Sequence, residues 1–137
     1  MAPVEIPVLS EAVLTKTVQI GSDSQRRKPL LVLQNETLGH LAAPGGTRIL
    51  ADLIAQFIAL ETLPIAVILQ GLAVRLASET NPVGEQLAQL TARQVPLLIC
   101  RESLAELHLE CTLKDGRLVS QREIAETLLK AEPIYWL

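Results

Sequence analysis

Three short aliphatic runs constrain this chain most: "LLVL" (30–33), "PIAVILQ" (64–70) and "VPLLIC" (95–100). Each is too short for an independent helix and lacks the alternation of a half-exposed strand, so each reads as a strand buried on both faces. Helical periodicity fills the intervals. "GGTRILADLIAQFIAL" puts Ile49, Leu50, Leu53, Ile54, Phe57 and Ile58 on one face, with Arg48, Asp52 and Gln56 on another. "NPVGEQLAQLTARQ" opens with Asn81 as N-cap and Pro82 at the first helical position, and its apolar stripe is Val83, Leu87 and Leu90. "ESLAELHL" reads as a short helix. Ser120 and Glu123 have the spacing of a capping box, with Val119 and Ile124 placed as its hydrophobic staple. That helix runs to Lys130, and "PIYWL" reads as a terminal strand. Buried strands alternating with amphipathic helices predict an α/β fold: an open, mostly parallel sheet of about five strands with right-handed crossovers and helices on both faces.

Residues 1–28 differ from the rest. They contain two prolines, one candidate strand at "KTVQI" and the polar run "GSDSQRRK", and read as an arm and linker ahead of a domain spanning 29–137. Near the other end, Asp115-Gly116 between apolar residues is by itself a hairpin signal. A length of 137 residues suits one core. With 49% apolar residues and a mean hydropathy of +0.33, the chain has apolar surface to spare for contacts between subunits.

Other classes are disfavoured by composition. A net charge of −3 leaves no electrostatic footprint for nucleic acid, and Phe57, Tyr135 and Trp136 are the only aromatics, too few for a base-stacking platform. No apolar run is long enough for a membrane span: Ile49 to Leu72 is broken by Asp52, Gln56, Glu61, Pro64 and Gln70. "MAPVEIPVLSEA" does not read as a signal peptide. Two cysteines and two histidines are dispersed and match no disulfide framework or metal spacing. The expectation is a reduced, cytoplasmic protein without metal or cofactor.

In open parallel sheets, ligands and chemistry gather beyond the carboxyl ends of the strands. "QNETLGH", "QGLAVRL" and "CRESL" arrive there, carrying Asn35, Glu36, His40, Gly71 and Cys100. Cys100 ends the third buried run where a helix begins. Free amides, the helix dipole and Arg101 would all favour a thiolate, the reactive form. The opposing reading is a small hydrophobe completing a Leu-Leu-Ile run. Cys111, between Glu110 and Thr112, reads as structural, and Glu102, Glu106 and Glu110 recur at the spacing of a solvated helical face. "HLAAPGGT" (40–47) is no phosphate loop, because His40 stands where the first glycine belongs and Gly46 where the lysine does. A glycine turn into a helix explains it. His108, among leucines, reads as structural, whereas His40 could serve as a base near the cleft.

Taken in order, "VLQNETLG" (32–39), "GTRILADLIAQFI" (46–58), "LPIAVILQGLAVRLASETNPVGEQLAQL" (63–90) and "PLLICRESL" (96–104) resemble the DsrE/DsrF-like family. The likeness is to the C-terminal domain of the selenium-metabolism YedF-like branch, and "DGRLVSQREIAETLLKAEPI" is similar to that branch's final stretch. The resemblance covers about residues 30–137 and implies a flavodoxin-like domain that assembles as trimers or hexamers. It also implies a cysteine matching Cys100 that carries a persulfide between sulfur donor and acceptor proteins; in that reading the amides of Arg101, Glu102 and Ser103 would stabilise the anion and Arg101 would add positive potential. It replaces the Asp-Gly hairpin with a short parallel strand near Leu118. Three positions depart from the family pattern. Ala43-Pro44-Gly45-Gly46 replaces an acidic pair, Ser103 replaces the second cysteine of Cys-Gly-Thr-Cys, and Leu69-Gln70-Gly71 replaces Asn-x-Gly. A vicinal dithiol mechanism is therefore closed to this chain. Two readings stand: a persulfide carrier using Cys100, or a non-catalytic module that forms oligomers or binds a small ligand.

Overall fold

The computed structural model describes residues 28–137. The expected arm and its "KTVQI" strand lie outside the described residues. Five parallel strands form one sheet in the order β4-β3-β2-β1-β5: β1 Leu30–Leu33, β2 Ala66–Leu69, β3 Leu97–Cys100, β4 Gly116–Val119 and β5 Ile134–Trp136. The three aliphatic runs are its centre. Every residue of β1, β2 and β3 is buried, as a strand must be when neighbours flank it and helices cover its faces. Register follows the pleat, with Leu30 opposite Ala66 and Ile68 opposite Leu98. Burying one such aliphatic side chain stabilises the fold by about 1.5–3 kcal/mol. This is the expected flavodoxin-like α/β arrangement.

The chain steps from β1 through β4 in one direction and then returns past β1 to β5. With right-handed crossovers, α1 (Gly45–Ala59) and α2 (Pro82–Ala92) share one face, where they pack together, and α4 (Gln121–Lys130) takes the other. The local chemistry is largely as read. Asn81 accepts from the Gly84 amide at 2.7 Å and Pro82 follows it. The reciprocal Ser120–Glu123 capping box opens α4, with Val119 and Ile124 buried beneath it.

Two details differ from the sequence reading. Ile49 belongs by spacing to the apolar face of α1 but is 45% exposed, because the stripe is centred on Leu50, Ala51 and Ile54. Residues 71–77, given no secondary structure in that reading, form a 3-10 helix whose Ala73, Val74, Leu76 and Ala77 are buried. Small side chains let this turn lie close to the sheet. The strand expected near Leu118 in place of an Asp115-Gly116 hairpin is present: β4 begins at Gly116 and pairs in parallel with β3 from Leu97–Gly116 to Cys100–Val119. A parallel partner with apolar side chains to match overrides the turn signal here.

Candidate functional site

β1, β2 and β3 deliver their carboxyl ends side by side, and most of the candidate residues follow within three positions. After β1, the Asn35 carboxamide oxygen accepts from the Glu36 amide at 2.8 Å, and Thr47 Oγ1 donates to the Glu36 carbonyl at 3.1 Å. The Glu36 carboxylate meets the Arg75 guanidinium at 3.2 Å, joining the first loop to the 3-10 helix after β2. Both side chains are partly solvated, so the pair contributes little stability but sets the loop's position.

After β2, Gly71 has φ +59°, the left-handed conformation that glycine adopts without a side-chain clash. Its amide donates to Ser103 Oγ at 2.9 Å. After β3 comes the short helix α3 (Arg101–Glu106), with Cys100 as its N-cap. The Ser103 amide donates to Cys100 Sγ at 3.4 Å, and the thiol faces the Glu102 carboxylate, Sγ to Oε1 3.8 Å. That same carboxylate oxygen accepts from the Gln121 amide at 3.1 Å, at the start of α4. Glu102 is exposed, yet it bridges two helix N-termini rather than standing free as the spacing suggested. Glu110 lies beyond the end of α3, so the three-glutamate face does not form.

Cys100 is 1% exposed, and its neighbours in β3 and Val119 across the ladder are aliphatic and buried. The sulfur is therefore packed from the sheet side and capped by Ser103 and Glu102 from the helix side. Arg101 is exposed, and among the described residues its side chain joins no ion pair. A shallow pocket of about 200 Å³ lies alongside, lined by Gly71, Leu72, Ser103, Glu106 and Leu107. Leu72 is 41% exposed at its rim.

The structure thus joins Gly71, Cys100, Glu102 and Ser103 by hydrogen bonds and ties Asn35 and Glu36 to the same edge through Arg75. His40 is left out: it is exposed in the loop before α1, and its side chain makes no hydrogen bond among the described residues. Of the two glycines of "HLAAPGGT", Gly46 serves packing. The Gly46 amide already donates to the Ala42 carbonyl at 2.7 Å, and a β-carbon there would fall 2.5 Å from the Leu41 carbonyl oxygen. Among the described residues, no three His, Cys, Asp or Glu side chains gather as a metal site, and no helix is long and apolar enough to cross a membrane. Sequence reasoning missed Arg75 and Gln121. Their role depends on a 3-10 turn and on the meeting of α3 with α4, and neither leaves a local pattern.

No protein-family model and no curated protein matches the chain. Among solved structures, the crystal structure of the ychN protein from E. coli is similar over 81% of this chain and 100% of its own, with a TM-score of 0.59 and 18% sequence identity. That neighbour has the DsrE/DsrF-like fold, and the likeness extends to the fold of this chain.

Proposed function

We propose that this chain is a non-catalytic binding module of the DsrE-like fold, in which Cys100 is a structural cap and the carboxyl edge of the sheet is a contact surface. The burial of Cys100 carries this reading. At 1% exposure its sulfur offers a partner no line of attack. Its hydrogen-bonding capacity is taken up by the Ser103 amide and the Glu102 carboxylate, and the latter has the wrong charge to hold a sulfur anion. The adjacent pocket of about 200 Å³ is smaller than ordinary ligand cavities. Its size and the exposed Leu72 suit an inserted apolar side chain from another chain, including a second copy. The test is sedimentation of wild type, Leu72→Asp and Cys100→Ala. Leu72→Asp should abolish self-association and Cys100→Ala should preserve it. A monomeric wild type, or an assembly indifferent to Leu72→Asp, defeats the proposal.

One observation favours the persulfide-carrier reading: a main-chain amide at the start of a helix points at a cysteine sulfur on the sheet's carboxyl edge. In that chemistry the Cys100 thiolate attacks the terminal sulfur of a donor persulfide. A new S–S bond forms, the donor's S–S bond breaks, and the donor leaves as a thiolate. Incubation with a cysteine desulfurase and cysteine, followed by mass spectrometry, separates the two readings. A gain of one sulfur atom that disappears in Cys100→Ser establishes the carrier and removes the binding-module reading of Cys100.

A further inference from the structure

Leu129 is the most exposed large apolar side chain among the described residues, at 86%. It shares the outer face of α4 with Arg122, Ala125 and Glu126, all exposed and three or four positions apart. Arg122 and Glu126 neutralise each other, Nε to Oε2 3.7 Å. Lys130, beside Leu129, joins no ion pair among the described residues. The end of α4 therefore presents an apolar knob with one net positive charge. The pocket of about 200 Å³ at the carboxyl edge has the complementary character. Leu72 and Leu107 make it apolar, and Glu106 is its only charged lining residue. Glu106 is exposed and joins no ion pair among the described residues.

We propose that Leu129 of a second copy fills this pocket, with Lys130 of that copy beside Glu106. The inference rests on the carboxyl edge being a contact surface. A chain cannot fill its own pocket. α4 starts at the carboxyl edge, where the Gln121 amide meets Glu102. It ends at the amino edge, where Lys130 lines a hollow with Ile65, just before β2, and Glu132, just before β5. Ten residues of helix put about 15 Å between the two edges. Knob and pocket are thus different surfaces at opposite ends of the molecule. Copies join head to tail, closing into a ring or extending as a filament. Charge selects the knob. Leu60 is next in exposure at 71%, but Glu61 follows it and would bring like charge to Glu106.

The test is sedimentation velocity of the full chain as wild type, Leu129→Asp, Leu72→Asp and an equimolar mixture of these two variants. Each variant alone should be monomeric. The mixture should form a pair with one chain of each kind, because the Leu72→Asp chain keeps its knob and the Leu129→Asp chain keeps its pocket. Glu106→Lys should weaken assembly roughly tenfold or more, and adding Lys130→Glu to it should restore assembly. If Leu129→Asp assembles like wild type while Leu72→Asp does not, the inference is overturned and the contact surface stands with another occupant. A mixture that stays monomeric, or a double charge reversal that stays weak, overturns it as well. A monomeric wild type overturns both the inference and the contact surface beneath it.

Discussion

The Gly71 amide donates to Ser103 Oγ at 2.9 Å, binding the turn after β2 to the first turn of α3 across 32 positions of sequence. The same Ser103 turns its own amide onto Cys100 Sγ, so one residue holds both strand ends. Ser103→Ala removes the hydroxyl acceptor and leaves the Gly71 amide to water. Gly71 is exposed, so the loss should be modest, about 0.5–1.5 kcal/mol by denaturant titration. Faster hydrogen exchange at the Gly71 amide should accompany it. Exchange unchanged from wild type would mean that the link does not hold the turn in solution.

The two free thiols should separate by reactivity. Cys100 is buried and Cys111 is half-buried with its sulfur near the Leu113 carbonyl. If Cys100 caps α3 as a structural group, alkylation of the native protein modifies Cys111 first. Cys100 follows roughly tenfold more slowly or worse, since about 1.4 kcal/mol of local opening alone gives that factor. In denaturant the two rates should converge. Equal rates in the native state would contradict the packed position of Cys100.

The strands were readable from sequence because burial on both faces leaves a continuous aliphatic run, and β1, β2 and β3 each have one. Caps were equally readable, since Asn81-Pro82 and Ser120–Glu123 act within one turn of themselves. The site was only half visible. Cys100 and Ser103 sit where a strand-to-helix junction must place them, but whether the sulfur meets solvent depends on Glu102, Val119 and the start of α4, all set by tertiary packing. The 3-10 helix over 71–77 left no helical stripe either: its buried residues, Ala73, Val74, Leu76 and Ala77, span little more than one turn.

Three helices end on a left-handed residue other than glycine: Glu61 at φ 56°, Gln94 at 68° and His108 at 56°. After α2 the Val95 amide reaches back to the Leu90 carbonyl at 3.0 Å, a closure that suits glycine at position 94. An L-residue there costs about 1–2 kcal/mol, partly offset by glycine's greater freedom when unfolded. Gln94→Gly should therefore stabilise the protein by up to about 1 kcal/mol, and Gln94→Val should destabilise it. Loss of stability in the glycine variant would show that the Gln94 side chain contributes more than its backbone strain costs.

Gly46 tests the reading of "HLAAPGGT" as a packed turn. An added β-carbon would lie 2.5 Å from the Leu41 carbonyl oxygen and 2.8 Å from Thr37 Cβ. The first obstacle is backbone, and Thr37 is buried, so neither yields cheaply. Gly46→Ala should cost about 1–3 kcal/mol, in the range of overpacked interiors, whereas Gly45→Ala, with open space around it, should be tolerated. Equal effects at the two positions would mean that the crowding at Gly46 relaxes.

Glu123 links the α4 capping box to pH. The Ser120 backbone hydrogen bond, chiefly, holds its carboxyl below the usual glutamate range, with the Arg117 guanidinium assisting at 3.0 Å. Because the folded value is the lower one, the folded state binds this proton less readily than the unfolded state does. The contribution is therefore complete above the unfolded glutamate value and is lost as pH falls through the folded value. Comparing stability against pH for wild type and Glu123→Gln isolates it. The difference between the two should be constant at neutral pH and shrink across the acidic carboxylate range, because wild type alone loses the ionised cap. The amide can still accept the Ser120 hydrogen bond, so part of the cap should survive in the variant. A difference that widens on acidification would reverse the assigned sign and place the charge of Glu123 among the groups that oppose folding.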